Sequence, residues 1–510
     1  MSACTRCTSA ILIITLIAAA AACRREPGGD GSTPPVRVVV GIAQPRRGVA
    51  PDTGIAGVAR LLQVASLVAV DPVGRAQPAL ADRWETSDQL TWRIRLRKGL
   101  TFHDGTPLTA AAVRDVIAPD GAVGDTFDVL PGLRDVTAVD APGPNELVVR
   151  LRRHSSLLLE ALALLPVRGG KDGVSGAGPF VLEATQPGRA LLGAFDAYYR
   201  GAPSVRQVEL RSFPTQRAAW GAAMRGEIDV MYEVAPEAAA FVDASAATRA
   251  FWFLRPYVYF MGVNLSHPVL GRRDVRIALN HAVDRQLLIR RSLGGRGIAA
   301  SGHVWPRHWA HDGLVAPPAF DPALAIRTLE TAGLPVRDDL RPGGRGPSRF
   351  RITALLPADY PVLERMALVI QKELSDVGID LALEPVPELE LRRRLATGQF
   401  EAYINEMAAG QGLNWPYWFW HTAPGEAVWI RSGYASADAA LDAIRSARTD
   451  EEVRGAVSAF QRTLVADPPG VFLCWSETAR AVARRFAVPP ERDRDVMGTL
   501  PQWRLAVERP

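Results

Sequence analysis

"RFRITALLPADYPVLERMALVIQKELSDVGIDLALEPV", residues 349–386, contains a whole supersecondary unit. Residues 350–356 read as a strand. Leu363, Met366, Ile370, Leu374 and Val377 then recur at spacings of 3, 4, 4 and 3, which is one stripe of a helix. Gly378 stands where a left-handed C-terminal cap belongs, and "IDLAL" opens a second strand. Two strands flanking one helix in so short a stretch imply a parallel pair with a right-handed crossover.

The same economy extends outward. "VRVVVGIA" (36–43) is a continuous apolar strand. In "LTWRIRLRKGLTFHDG" (90–105), Trp92, Ile94 and Leu96 alternate with Arg93, Arg95 and Arg97. That pattern is a half-exposed antiparallel strand ending at Gly99, with a turn at Asp104-Gly105. "LTAAAVRDVI" (108–117) starts a helix with Thr109 as its N-cap. "AAWGAAMRGEIDVMYEV" (218–234) reads as a short helix stopped by Gly226, then a strand around Ile228 and Val230. "VRIALNHAVDRQLLIRRSLGG" (275–295) reads as two helices, the second capped by Asp284 and closed by Gly294, and "RPGGRGPS" (341–348) as a loop. The chain has 510 residues, more than one core accommodates, so at least two lobes are expected of this α/β protein.

The amino terminus stands apart. Arg6 is followed by an uncharged run of 13 residues, Ala10 to Ala22, too short to span a bilayer but suited to an export signal. Ala20, Ala21 and Ala22 lead into Cys23, which resembles a bacterial lipoprotein signal whose cysteine is lipidated and becomes the new terminus; Ala20 stands where that signal usually has Leu. Cleavage nearby without lipidation is the alternative. "RREPGGDGSTPP" (24–35) has the composition of a tether. Cys4 and Cys7 fall in the segment that would be removed, leaving Cys23 and a buried, inert Cys474, so no disulfide framework is expected. The net charge of +5 is spread among acids in no basic block, and no nucleic-acid partner is implied.

Two stretches stand out chemically. In "GLNWPYWFWHTAPG" (412–425), Trp415, Tyr417, Trp418, Phe419 and Trp420 crowd around Pro416, matching neither the alternation of a strand nor the polar face of an amphipathic helix. "GHVWPRHWAHDG" (302–313) gathers His303, His308 and His311, candidate metal ligands at a spacing that matches no established signature. Catalytic signatures are missing: "GVSGAG" has Ala177 where a nucleophile elbow needs glycine, and neither H-E-x-x-H nor a P-loop occurs. "GGRGIAA" (294–300) imitates a dinucleotide fingerprint but follows a helix where a strand is needed. No enzyme and no cofactor is expected.

In order, "PALADRWETSDQLTWRIRLRKGLTFHDGTPLTAAAV" (78–113), "GAGPFVLEATQPGRALLGAFDAYYRGAP" (176–203), "MRGEIDVMYEV" (224–234), "YFMGVNLSHPVLGRRDVRIALNHAVDRQLLI" (259–289) and the 350–384 unit resemble the family 5 extracellular solute-binding proteins. These are the oligopeptide-, dipeptide- and nickel-type receptors of ABC importers, and the resemblance covers about residues 36–485. It implies a two-lobed periplasmic-binding-protein fold (type II, cluster C-like) with a subdomain inserted in lobe I. Carried onto this chain, residues 1–22 would be a signal peptide and 23–35 a lipid-anchored tether. Lobe I would be 36–65, 172–264 and 478–510, the inserted subdomain 66–171, and lobe II 265–477.

The implied function is capture of a peptide or peptide-like solute between the lobes, and its delivery to permease subunits. The protein would be exported, periplasmic, monomeric and held to a membrane by Cys23. Peptide-binding members commonly place an Asp in the segment corresponding to 408–420, to pair with the ligand's α-ammonium group; "AAGQGLNWPYWFW" has no carboxylate, and Glu406 is the nearest substitute. Asn414, Trp415, Tyr417, Trp418 and Trp420 are therefore candidate ligand contacts, at most two of the rings touching solute while the rest pack lobe II. Tyr257 and Tyr259 are candidates from lobe I, with burial in the sheet as the alternative. Stacking rings equally suit an oligosaccharide or aromatic solute. A non-transport sensor or chaperone lipoprotein would use the same cleft.

Overall fold

The computed structural model describes residues 35–43, 52–118, 130–235, 238–337, 348–422, 430, 432–489 and 494–506. The expected signal segment, Cys23 and the tether up to residue 34 lie outside these, as does the expected loop except for Ser348. The chain falls into two units, Met1–Pro35 and Val36–Pro510, and the architecture is that of the second.

In chain order the principal strands are β1 (Val36–Ala43), β2 (Ala81–Glu85), β3 (Thr91–Leu96), β4 (Val136–Gly143), β5 (Glu146–Leu151), β6 (Phe180–Gln186), β7 (Arg189–Ala194), β8 (Val205–Phe213), β9 (Val230–Met231), β10 (Thr248–Val263), β11 (Phe350–Pro357), β12 (Ile379–Val386), β13 (Ala402–Ala408) and β14 (Gly470–Ala483). The principal helices are α1 (Asp52–Gln63), α2 (Ala110–Ile117), α3 (Leu158–Leu164), α4 (Arg273–Ala282), α5 (Arg285–Leu293), α6 (Pro361–Asp376), α7 (Asn414–Trp420), α8 (Asp438–Ser446) and α9 (Asp450–Ala466).

The 349–386 stretch folds as its pattern dictates. β11 and β12 pair in parallel from Phe350↔Ile379 to Pro357↔Val386, and α6 crosses between them. Leu363, Met366, Ile370, Leu374 and Val377 are all buried, Pro361 begins the helix, and Gly378 takes φ +85° just past its end. Thr109 caps α2 through the Ala112 amide at 3.4 Å. Asp284 caps α5 through the Gln286 and Leu287 amides at 2.9 and 3.0 Å.

Most strands belong to one sheet of eleven, ordered β6-β7-β8-β1-β9-β14-β10-β13-β11-β12, with Gly297–Ala299 pairing β14 from outside this path. β2-β3-β5-β4 form a separate antiparallel sheet, where Ile94 and Leu96 are buried while Arg93 and Arg95 stay exposed. One apolar core lies on the β1–β8 side of the large sheet, around Val38, Val40, Leu210 and Trp503. Two more sandwich its β10–β13 side, and another fills the small sheet.

β10 and β14 carry the large sheet from one side to the other. They pair antiparallel from Thr248↔Ala483 to Leu254↔Glu477, shift register, and resume at Val258↔Trp475 as far as Gly262↔Gly470. The shift falls at Arg255, Pro256 and Tyr257. Proline has no N–H for a ladder, and the Pro256 carbonyl is taken by the Ala409 and Gly410 amides at 3.0 and 3.2 Å. A bulge of this kind bends its strand and re-aims the side chains around it.

Candidate functional site

At this register shift three residues singled out by the sequence come together. Glu406 of β13 lies directly opposite Tyr259 of β10, and Tyr257 opposite Ala408. Two further residues join them. Arg255 Nη1 donates to Glu406 Oε2 at 3.2 Å, and Tyr360 Oη donates to the same oxygen at 2.9 Å. The Arg255 guanidinium also sits 5.0 Å from the Tyr257 ring centroid. The ion pair is largely shielded but open, with 21% of the Arg255 side chain and 16% of Glu406 exposed. Tyr259 is buried, whereas Tyr257 is 36% exposed.

Burial alone would lower the pKa of Arg255, but Glu406, then Tyr259, Tyr360 and Glu233, hold it well above its ordinary value. Burial and then the Glu406 charge push the Tyr360 phenol well up, so it stays a donor. The β9–β14 side contributes a second cation. Arg480 Nε and Nη2 reach Asp495 at 3.0 and 2.6 Å, and its guanidinium lies 3.7 Å from the Tyr232 ring centroid. The crossing therefore presents fixed charges of both signs beside phenol rings.

The aromatic run is a short helix, α7, and it differs from both periodic templates because it is enclosed on several sides. Asn414 accepts from the Gly132 amide at 3.1 Å and donates to the Leu157 carbonyl at 3.1 Å. Tyr417 Oη donates to Asp442 Oδ1 at 3.1 Å and accepts from Arg445 Nη1 at 3.0 Å. Trp420 Nε1 donates to His303 Nδ1 at 2.9 Å. All three side chains are buried. Trp415 and Trp418 are half-buried, with ring centroids 5.6 Å apart at 80°. Trp415 packs where Gly410, held at φ +61°, would carry a Cβ, which sets this pair next to the Pro256 carbonyl.

The histidines do not converge. His303 lies in the core; the Trp420 indole N–H reaches its Nδ1, its Nε2 lies 3.1 Å from the Ala408 carbonyl, and burial lowers its pKa to about 3. His308 accepts from the Ala310 amide through Nδ1 and places Nε2 3.7 Å from Glu160. His311 is half-buried. Among the described residues no three His, Cys, Asp or Glu side chains are grouped to hold a metal ion.

Arg255 and Tyr360 escaped the sequence reading for different reasons. Arg255, Tyr257 and Tyr259 follow one another at strand spacing, so a period-two reading of "RPYVY" puts the arginine with the tyrosines. Tyr360 immediately precedes α6, and only the pairing of β11 with β13 brings it to Glu406; no local pattern marks it.

The model of the bacterial extracellular solute-binding proteins, family 5 Middle, matches residues 75–427. The glutathione-binding protein GsiB of Escherichia coli K12 is 22% identical over 385 residues, 72% of this chain and 70% of the relative. The probable D,D-dipeptide-binding periplasmic protein DdpA of the same strain is 23% identical over 363 residues, 67% of each. Among solved structures, the oligopeptide-binding protein AppA of Bacillus subtilis with a nonapeptide matches at TM-score 0.76 and 19% identity, over 93% of this chain and 100% of that one. NikA of Brucella suis with Fe(III)-EDTA matches at TM-score 0.77 and 20% identity, over 92% and 100%.

Proposed function

The chain belongs to the bacterial extracellular solute-binding proteins of family 5 and has their two-lobed fold, and from that premise we propose that it captures a peptide or peptide-like solute at the crossing of β10 and β14. The observation that carries this reading is the exposed edge of the Arg255–Glu406 pair. A peptide has an ammonium and a carboxylate. Glu406 offers a partner to the first and Arg255 to the second, so a zwitterion exchanges one ion pair for two without stranding a buried charge. Tyr257, Trp415 and Trp418 offer half-exposed rings to the solute's side chains. The names of GsiB and DdpA, both peptidic, favour the same class.

The bound solute passes to the permease subunits of an ABC importer. The protein acts as a monomer on the periplasmic side, held to the membrane through lipidated Cys23; among the described residues no helix is long and apolar enough to cross a membrane. The division into lobe I (36–65, 172–264, 478–510), inserted subdomain (66–171) and lobe II (265–477) belongs to this reading. Stacking on Trp415 and Trp418 favours a second reading, an oligosaccharide or aromatic solute, because residues 408–420 supply no carboxylate of their own.

Native mass spectrometry of the protein, purified gently from a bacterial envelope, tests both. Retained masses spaced by amino-acid residues support the peptide reading, and Glu406→Gln is then expected to lose them. Retained masses spaced by sugar units overturn it in favour of stacking. Cys23→Ser is expected to release the protein from the membrane fraction.

A further inference from the structure

Away from this crossing, a groove of about 540 Å³ runs between α1, the β6–β7 hairpin and the 168–176 loop. Its floor is apolar and buried, formed by Ile55, Ala59 and Ala190. Val174 and Leu182 stand on its rim, 63% and 37% exposed. Arg60, Arg168 and Arg189 line it, and no carboxylate does. The Arg60 and Arg168 side chains make no hydrogen bond or ion pair among the described residues. Arg189 binds Glu209 at 2.5 Å, but Arg37 and Arg211 share that carboxylate, so one negative charge stands against three positive ones. Among the described strands β6 pairs with β7 alone and ends the sheet. β6, "FVLEATQ", has neither lysine nor proline; Glu183 and a register shift between Leu182 and Ala184 interrupt its first half, leaving Thr185 and Gln186 as its regular outer stretch.

We propose that this groove is a docking site for an extended acidic segment of a partner protein, laid alongside β6. The open strand edge supplies backbone hydrogen bonds. Arg60 and Arg168 take carboxylates, and the Val174–Leu182 rim takes aliphatic side chains lying between them. A free small anion would use the arginines but leave the strand edge idle.

The test uses the full chain and a fluorescein-labelled hexapeptide of alternating Glu and Val, followed by anisotropy. Saturable binding is expected, unchanged by Glu406→Gln and weakened about tenfold or more by Arg60→Ser with Arg168→Ser. In the Glu406→Gln background, which removes capture at the crossing, a Lys-Val hexapeptide and a Glu-Val hexapeptide N-methylated at alternate residues are expected not to bind. Arg60 is exposed and Arg168 half-buried, and neither belongs to the apolar floor, so the doubly substituted chain is expected to fold, which its unchanged Tm checks. Binding that survives the double substitution, binding lost with Glu406→Gln, or no peptide binding overturns the proposal. So does binding of acetate or inorganic phosphate without binding of peptide, which would make the groove a small-anion site.

Discussion

Trp418 and Trp420 stand two residues apart on α7 but have different surroundings. Trp420 is 3% exposed, bonded to His303, and packed edge-on against Phe260, Tyr434 and Phe472. Trp420→Ala removes those contacts and leaves a cavity, a change that costs about 3–5 kcal/mol; calorimetry of the solute-free protein should show a clear fall in Tm. Trp418 is half-buried, so Trp418→Ala is expected to leave that Tm nearly unchanged while weakening solute binding in titration calorimetry. Equal falls in Tm for both would place Trp418 in the core. At this scale the sequence pointed to Glu406, because 408–420 lacks a carboxylate, and to Tyr257 and Tyr259, which the fold brings beside it, Tyr259 buried in the sheet. Their partner Arg255 was hidden because a proline separates it from the tyrosines and disguises the strand.

Elements were legible wherever one face meets the core and the other meets water. The α6 stripe is such a case, and α7 is not, because backbone groups of Gly132 and Leu157, side chains of α8 and His303 surround it and remove the polar face that marks a helix. α6 also carries a residue its stripe does not explain. Glu373 is 7% exposed and, among the described residues, accepts only from the Asp284 amide at 3.2 Å and leaves Oε1 without a partner. Burial is the main cause that raises its pKa from 4.5 to about 7; the charges of Asp284 and Asp376 add to it, while the Asp284 amide and Arg285 oppose it. A carboxyl whose folded pKa lies above its unfolded value binds its proton more tightly when folded. Its contribution is therefore fully present below about pH 4.5 and is lost as pH rises through about 7, a change of order 3 kcal/mol. Glu373→Gln keeps the acceptor and removes the titration. Urea melts across pH 4–8 should show a shallower decline for the variant, and higher stability than the parent at pH 8.

At the scale of the whole molecule, local pattern identified strands but not their joining, since Leu254 finds Glu477 only after more than two hundred intervening residues. Nor did it show how residues 130–164 are held. Asp135 is fully buried and bonded to Arg152, Arg153 and Arg445. Ser156 Oγ donates to the Ile444 carbonyl at 2.6 Å, and Glu160 accepts from the Leu413 amide at 2.6 Å. Breaking a buried ion pair costs about 3–5 kcal/mol, as much as a solute supplies in shifting two conformations. Residues 130–164 should therefore move with α7–α9 when the crossing bends. Spin labels at Leu164 and Arg454 are expected to keep one separation with and without solute, while labels at Arg217 and Arg392 draw together; a change in the first pair would refute this coupling. The doubled acceptor at Pro256 has its own consequence. Ala409 and Gly410 both lean on one carbonyl at the register shift, so their amide protons form a natural isotope clock, expected to trade for deuterium more slowly with solute bound than without it.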